Sequence, residues 1–104
     1  DRFVGRILTG AERAFCEEHV DQAPHVGARF AAKEAAVKAL GTGVAEGISW
    51  RDIELVRAGN GAPSLELHGP ARQAADRRGV RNIHVSLTHD RTTAAAVVVL
   101  EDAR

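Results

Sequence analysis

The spacing of apolar residues changes halfway along the chain, and this change constrains the fold more than any other feature. Up to Leu40, apolar residues recur at the three-to-four-residue spacing of an amphipathic helix. The stripe that they form consists of Val26, Phe30, Val37 and Leu40. Over residues 82–88, apolar and polar residues alternate, as they do in a strand with one buried face. We therefore predict an α+β fold with a mostly antiparallel sheet.

Local signals place the helices. Thr9 followed by Glu12 has the spacing of a capping box and predicts a helix over about residues 10–20. Pro24 is typical of the first turn of a second helix, which Gly41 should end after Leu40. A third helix is predicted over residues 71–78, after Pro70.

Turn signals place the strands in hairpins. Asn60-Gly61 is a strong hairpin turn between strands predicted at residues 50–56 and 64–68. A second pair is predicted at residues 82–88 and 93–100. The last strand is an unbroken Ala/Val run, so we expect it to be buried on both faces.

Composition excludes several classes of protein. Among 104 residues, 14 Lys and Arg balance 14 Asp and Glu, which argues against a nucleic-acid-binding domain of high positive charge. The single Cys16 excludes a disulfide framework and fits a reducing compartment. The longest apolar run, residues 94–100, is far shorter than the roughly 20 residues of a membrane span. We expect one domain over residues 1–104, located in the cytoplasm and free of membrane.

Two kinds of residue, methionine and aromatic residues, are absent or scarce in this sequence, and each observation supports a prediction. The sequence has no Met, so we expect it to lack an N-terminal segment. Only 4% of its residues are aromatic, so its core must consist of small aliphatic side chains. Such a thin core favours oligomerisation, because subunit contacts bury additional surface.

One sector of the second helix carries possible chemistry. At about 100° per residue, Gly27, Ala31, Glu34 and Lys38 fall in a narrow sector beside the apolar stripe. Glu34 and Lys38 can form an ordinary surface ion pair at i, i+4. Alternatively, Glu34 holds a divalent cation while Lys38 faces a phosphate, with small neighbours leaving room for a ligand.

The end of the third strand offers polar groups that suit a phosphate. Ser86 and Thr88 share one face, and His89 follows them. They can bind phosphate oxygens or simply face water; a Ser-His-Asp triad is excluded, because residues adjacent in sequence do not provide its geometry. The remaining histidines are expected to be surface or structural residues, and these are His19, His25, His68 and His84.

Residues 29–43, RFAAKEAAVKALGTG, resemble the central signature of the holo-[acyl-carrier-protein] synthases, which are small 4′-phosphopantetheinyl transferases. The resemblance extends over nearly the whole chain. It includes residues 3–12 upstream, residues 50–54 and 60–63 in the middle, and residues 85–90 with the alanines after them. The resemblance implies the 4′-phosphopantetheinyl transferase fold, which agrees with the α+β fold predicted above.

It also implies a reaction in fatty acid biosynthesis. Such an enzyme transfers 4′-phosphopantetheine from coenzyme A (CoA) to a serine of apo acyl carrier protein and releases adenosine 3′,5′-bisphosphate. Family members bind Mg²⁺ through a Glu that corresponds to Glu34 and through an Asp in an N-terminal Gly-x-Asp strand. No Gly-x-Asp precedes Phe3, so that strand is expected to be missing here. Enzymes of this length are homotrimers with active sites between subunits.

The resemblance assigns roles to individual residues. Glu34 and Lys38 are implied as catalytic, with Glu34 or metal-bound water as the base that accepts the serine proton. The implied contacts to CoA are Arg29, Lys38, Asn60, Gly61, Pro63, Thr88 and His89. Carrier proteins are acidic, and Arg2 and Arg6 around Phe3 form a basic cluster that suits them. The alternative interpretation is that this cluster is an ordinary solvated segment at the start of the chain.

Other functions stay open at this point. A module that binds CoA or a carrier protein without catalysis is one alternative, favoured by the missing strand. A transferase domain cut from a multidomain fatty-acid or polyketide synthase is another, which the absence of Met allows. The third is an unrelated α+β structural domain.

Overall fold

The computed structural model describes residues 2–43, 47–90 and 92–102. Within these residues there are four α-helices and two hairpins, and the last helix lies between the two hairpins. The helices are α1 Arg2–Ile7, α2 Gly10–Glu17, α3 Ala23–Leu40 and α4 Gly69–Arg77. The strands are β1 Ile53–Arg57, β2 Pro63–Leu67, β3 Asn82–His89 and β4 Ala94–Glu101.

The predicted caps are confirmed at both ends of the helical half. The Thr9 hydroxyl accepts from the Glu12 amide at 3.2 Å, and the Glu12 carboxylate accepts from the Thr9 amide at 2.9 Å. Gly41 ends α3 with a φ of 79°, a left-handed conformation in which a side chain is strained. These caps set where α2 begins and α3 ends.

The predicted antiparallel pairing is confirmed, as two separate two-stranded sheets. In β1–β2, Glu54 lies directly opposite Glu66, and in β3–β4, Asn82 lies opposite Glu101. In the turn of the first hairpin, Gly61 has a φ of 84°. The α+β prediction therefore holds.

The core is aliphatic, as the composition predicts. Helices α3 and α4 pack on the β1–β2 hairpin through small and branched side chains such as Ala32, Ile53 and Ala74, each essentially inaccessible. A smaller cluster joins the first two helices to α3, with Cys16 buried in it and Phe30 and Trp50 packed against it. The stripe predicted on α3 is thus divided between two clusters, because Val37 and Leu40 enter the first and Val26 and Phe30 border the second.

Two predictions about elements are wrong, and one helix was not predicted. Residues 2–7 form that helix, and Trp50–Asp52 is a 3₁₀ turn rather than the start of a strand. Strand β4 is not buried on both faces, because half-buried and exposed residues alternate along it. Val97 and Val99 are 63% and 50% exposed. A run of Ala and Val has no polar residue to mark its outer face, so the pattern could not show it.

Within the residues described, no helix has both the length and the hydropathy needed to cross a bilayer.

Candidate active site

Glu34 and Lys38 line an open groove of about 320 Å³ between α3 and β4, here called the α3–β4 groove. Its other lining residues are alanines, namely Ala31, Ala35, Ala94, Ala95 and Ala96. The helix and strand approach closely at one end of this contact, since a Cβ on Gly27 would lie 3.4 Å from that of Ala94. The predicted sector of Glu34 and Lys38 with small neighbours is confirmed.

The charges in this groove fit a cation and a phosphate. Glu34 and Lys38 are both exposed and form no salt bridge with each other, so the i, i+4 pair is not what holds them there. Mg²⁺ is usually bound by one or two carboxylates together with phosphate oxygens of the substrate, and Glu34 is a carboxylate that faces solvent. Lys38, one turn further along, can face the same phosphates as a point charge. Glu34 therefore offers one oxygen ligand of the kind that Mg²⁺ binds.

Arg29 lies away from the α3–β4 groove and is buried. Its guanidinium stacks over the Phe15 ring at 4.1 Å, and its Nη1 donates to the His25 carbonyl at 3.2 Å. Arg29 lines a second cavity, of about 190 Å³, whose rim includes Arg57. Its Nε has no hydrogen-bond partner within the described residues. Burial lowers the pKa of this guanidinium.

Thr88 and His89 lie one strand away from the groove. They pair with Ala95 and Ala94 across the β3–β4 ladder. Thr88 borders a shallow cavity of about 80 Å³ on the sheet surface. The His89 ring lies 5.5 Å from that of His25. Neither residue lines the α3–β4 groove of its own chain.

The histidines near His89 form a stack. The His19 and His25 ring centroids are 3.7 Å apart. The His25 and Phe15 ring centroids are 5.8 Å apart, and these two rings are packed edge to face. Burial and then electrostatic repulsion from the basic side chains around it lower the pKa of His25; these side chains are His19, His89, Arg29 and Arg57.

The other predicted contacts lie at the tip of the β1–β2 hairpin and on α1. At the tip, Asn60 Oδ1 accepts from the Ala62 amide at 3.0 Å, and Pro63 begins β2. On α1, Arg2 and Arg6 are exposed, and the half-exposed Phe3 ring lies 5.7 Å from Phe30. The geometry thus unites Glu34 with Lys38 in the α3–β4 groove and brings both Arg29 and His89 next to His25. The other predicted residues lie elsewhere on the chain.

A family model described as the 4′-phosphopantetheinyl transferase superfamily matches residues 1–98. The chain belongs to this superfamily.

Relatives and solved structures agree with that assignment. A holo-[acyl-carrier-protein] synthase of Anaeromyxobacter dehalogenans is 53% identical over 103 residues, which cover 99% of this chain and 78% of that protein. The crystal structure of the synthase from Neisseria meningitidis superposes with a TM-score of 0.86 at 33% identity, covering 98% of this chain and 82% of that one. The structure of the Helicobacter pylori synthase, solved in complex with coenzyme A, superposes with a TM-score of 0.82 at 30% identity, covering 96% of this chain and 82% of that one.

Sequence reasoning missed a buried ion pair between α2 and α3. Lys33 Nζ lies 2.8 Å from Glu12 Oε1, and both side chains are inaccessible to solvent. Lys33 also donates to the carbonyls of Trp50 and Ile53, and Glu12 Oε2 accepts from the Leu55 amide at 2.8 Å. Burial lowers the pKa of Lys33, and Glu12 opposes that change.

This pair joins three elements of the transferase. Glu12 belongs to α2, Lys33 to α3 and Leu55 to β1, so their contacts hold the helix that carries Glu34 against the first hairpin. The sequence showed Glu12 only as part of a capping box. Its second role depends on residues far along the chain, and no local spacing indicated it.

Proposed function

We propose that the chain is a magnesium-dependent holo-[acyl-carrier-protein] synthase. It transfers 4′-phosphopantetheine from coenzyme A to a serine of apo acyl carrier protein, and adenosine 3′,5′-bisphosphate leaves. The observation that carries this proposal is the α3–β4 groove, where an unpaired Glu34 and Lys38 stand among alanines in a chain of the transferase superfamily. We place the reaction in fatty acid biosynthesis in the cytoplasm, which suits a chain whose one cysteine is free.

The chain's own residues have defined tasks in the proposed mechanism. The carrier serine attacks the β-phosphorus of CoA, a new oxygen–phosphorus bond forms, and the bond to the bridging pyrophosphate oxygen breaks. Glu34 or a water molecule accepts the serine proton, and Lys38 stabilises the negative charge that develops on the phosphates. Bound at Glu34, Mg²⁺ would neutralise part of the pyrophosphate charge.

We assign the remaining contacts to CoA, the donor of phosphopantetheine, to residues that do not line the α3–β4 groove in a single chain. These are Arg29, Asn60, Gly61, Pro63, Thr88 and His89. The Helicobacter pylori neighbour was solved with coenzyme A, which supports CoA as the donor for this chain. Since one chain separates these residues from Glu34, we propose that subunits combine them in a homotrimer.

Mass spectrometry tests the reaction directly. We expect apo acyl carrier protein incubated with this chain, CoA and Mg²⁺ to gain the mass of phosphopantetheine, and to gain nothing in EDTA. Transfer that persists unchanged in EDTA would contradict the role of Mg²⁺. Binding of CoA without transfer would instead support the non-catalytic module.

The basic α1 surface, Arg2, Phe3 and Arg6, is our proposed docking site for the acidic carrier. Arg6→Glu should raise KM for the carrier and leave KM for CoA unchanged. Arg72→Glu is the matched control, because Arg72 is an exposed arginine on a different helix, α4. Equal effects of Arg6→Glu on both substrates, or equal effects of the two variants, would contradict docking on α1.

The outer face of β4 is our proposed subunit contact, since Val97 and Val99 project from it into solvent. Sedimentation equilibrium should give a trimer for the unaltered chain and a smaller species for Val97→Asp. Val20→Asp is the matched control, because Val20 is fully exposed outside the regular elements. A monomeric unaltered chain that remains fully active would overturn this assembly.

A further inference from the structure

Outside the α3–β4 groove, three side chains converge on the first hairpin. Glu54, Glu66 and His68 each offer one ligand atom, and these atoms all lie within 4.8 Å of one another. Glu54 is on β1 and lies directly opposite Glu66 on β2. His68 follows β2, two residues after Glu66, and caps the start of α4. None of the three lines the groove that holds Glu34.

One of these side chains is already held in place. Glu54 Oε2 accepts from the Thr9 hydroxyl at 2.9 Å, so its other oxygen is directed elsewhere. That oxygen, Oε1, lies 3.0 Å from His68 Nε2. The Glu54 side chain is 15% exposed, whereas that of His68 is 48% exposed. The cluster thus has a fixed carboxylate on its inner side and two side chains free to adjust on its outer side.

The pairing of the two glutamates is unfavourable by itself. Like charges directly opposite each other across two strands destabilise a hairpin. Within the described part of the chain, no hydrogen bond or salt bridge compensates the charge of Glu66. His68 bonds Glu54 and leaves the second carboxylate without a partner. A cation between the three groups would neutralise both carboxylates.

We propose that Glu54, Glu66 and His68 bind a divalent cation of the zinc type. An imidazole nitrogen with two carboxylate oxygens suits Zn²⁺, whereas Mg²⁺ prefers oxygen ligands alone. Zinc bonds of about 2.0–2.2 Å require ligand atoms closer together than 4.8 Å, and the exposed Glu66 can make that approach. Three protein ligands leave the fourth position of a tetrahedral site for water.

In this position the ion connects separate elements of the fold. It links β1 to β2 and to the residue that precedes α4, and the Thr9 hydrogen bond connects it to the start of α2. Binding therefore stabilises the folded chain in proportion to the free metal concentration. It is independent of the proposed transfer reaction, which uses Glu34.

Metal titration of the full chain tests the proposal. After treatment with EDTA and desalting, the chain is titrated with ZnCl₂ by calorimetry and its Tm is measured with and without Zn²⁺. We expect saturable binding of one ion per chain and a higher Tm. Glu66→Gln and His68→Gln should each weaken binding by roughly tenfold or more. Co²⁺ in place of Zn²⁺ should give the visible absorption of a four-coordinate ion.

Two control variants make the result specific. His84 Nε2 lies 3.0 Å from Glu101 Oε1, a similar His–Glu pair across two strands outside the cluster, so His84→Gln should bind Zn²⁺ as the unaltered chain does. Glu34→Gln should also keep Zn²⁺ binding, which separates this site from the proposed Mg²⁺ site. Circular dichroism verifies that each variant is folded. The proposal is overturned if Zn²⁺ shows no saturable binding, or if Glu66→Gln and His68→Gln bind it as well as His84→Gln does.

Discussion

Lys33 and Glu34 are neighbours on α3, yet they lie in opposite environments. Lys33 is inaccessible to solvent and bonds Glu12 and two backbone carbonyls. Glu34 is exposed in the α3–β4 groove and forms no salt bridge with Lys38, the other charged residue there. Successive residues on a helix point about 100° apart, so one position separates a structural charge from one free for chemistry.

The difference shows that a buried charge and an exposed charge are stable under different conditions. A buried ion pair is stable only when hydrogen bonds replace the water that both groups have lost. Glu12 meets this requirement because, besides the ion pair with Lys33, its carboxylate accepts two hydrogen bonds, from the amides of Thr9 and Leu55. A charge in an open groove keeps its hydration and exchanges it for ligand contacts on binding. Two charged residues in one motif thus have unrelated tasks.

The largest expected effect comes from breaking the buried pair. Lys33→Ala leaves the Glu12 carboxylate buried without its cation, which should lower the free energy of unfolding by roughly 3–5 kcal/mol. That is a large share of the stability of a domain of this size. Urea denaturation followed by circular dichroism measures the change.

Lys38→Ala is the matched control on the same helix. Lys38 is exposed, so its loss should change the free energy of unfolding by no more than about 0.5 kcal/mol. Equal destabilisation by the two alanine variants would contradict the contrast between the two faces of α3.

The next effect is on turnover rather than on stability. Glu34→Gln removes the negative charge of the proposed Mg²⁺ ligand and keeps its shape. We expect kcat to fall by at least roughly 10²-fold, since a bound cation stabilises the transition state by several kcal/mol. The urea midpoint should not move. A variant that keeps its turnover and loses its stability would show that Glu34 is structural, as Lys33 is.

The smallest effect concerns a half-buried histidine that lacks a carboxylate partner. Burial lowers the pKa of His25, and the neighbours that lower it further are all basic side chains. The unfolded chain therefore keeps its proton on His25 up to a higher pH than the folded chain does. Stability should rise with pH between the lowered pKa and the ordinary value of 6.5, and be lower on the acid side.

Urea midpoints measured at about pH 5 and about pH 7.5 test this dependence. His25→Phe keeps a ring in the stack and removes the titrating group, so it should reduce the difference between the two midpoints. A difference that is unchanged in His25→Phe would assign the pH dependence to other groups.

Local features of this molecule were predictable from sequence. The Thr9 cap, the Gly41 helix end and the Asn60-Gly61 turn each depend on a few adjacent residues, and each occurs where it was predicted. The shared sector of Glu34 and Lys38 depends only on helical geometry, so it was predictable as well. In the candidate site, the sequence identified the two groups in the groove before any contact was known.

Only the tertiary structure decided which charges are buried and which surfaces stay open. Lys33 meets Glu12 from another helix, and His68 meets Glu54 across 14 residues of chain. The exposure of Val97 follows from which elements cover β4, since its apolar run looks the same in either case. Capping hydrogen bonds, turns and helical spacing each involve a few neighbouring residues, so the local sequence is enough to predict them. Burial is set by whichever distant segment packs against a side chain, and only the folded chain specifies it.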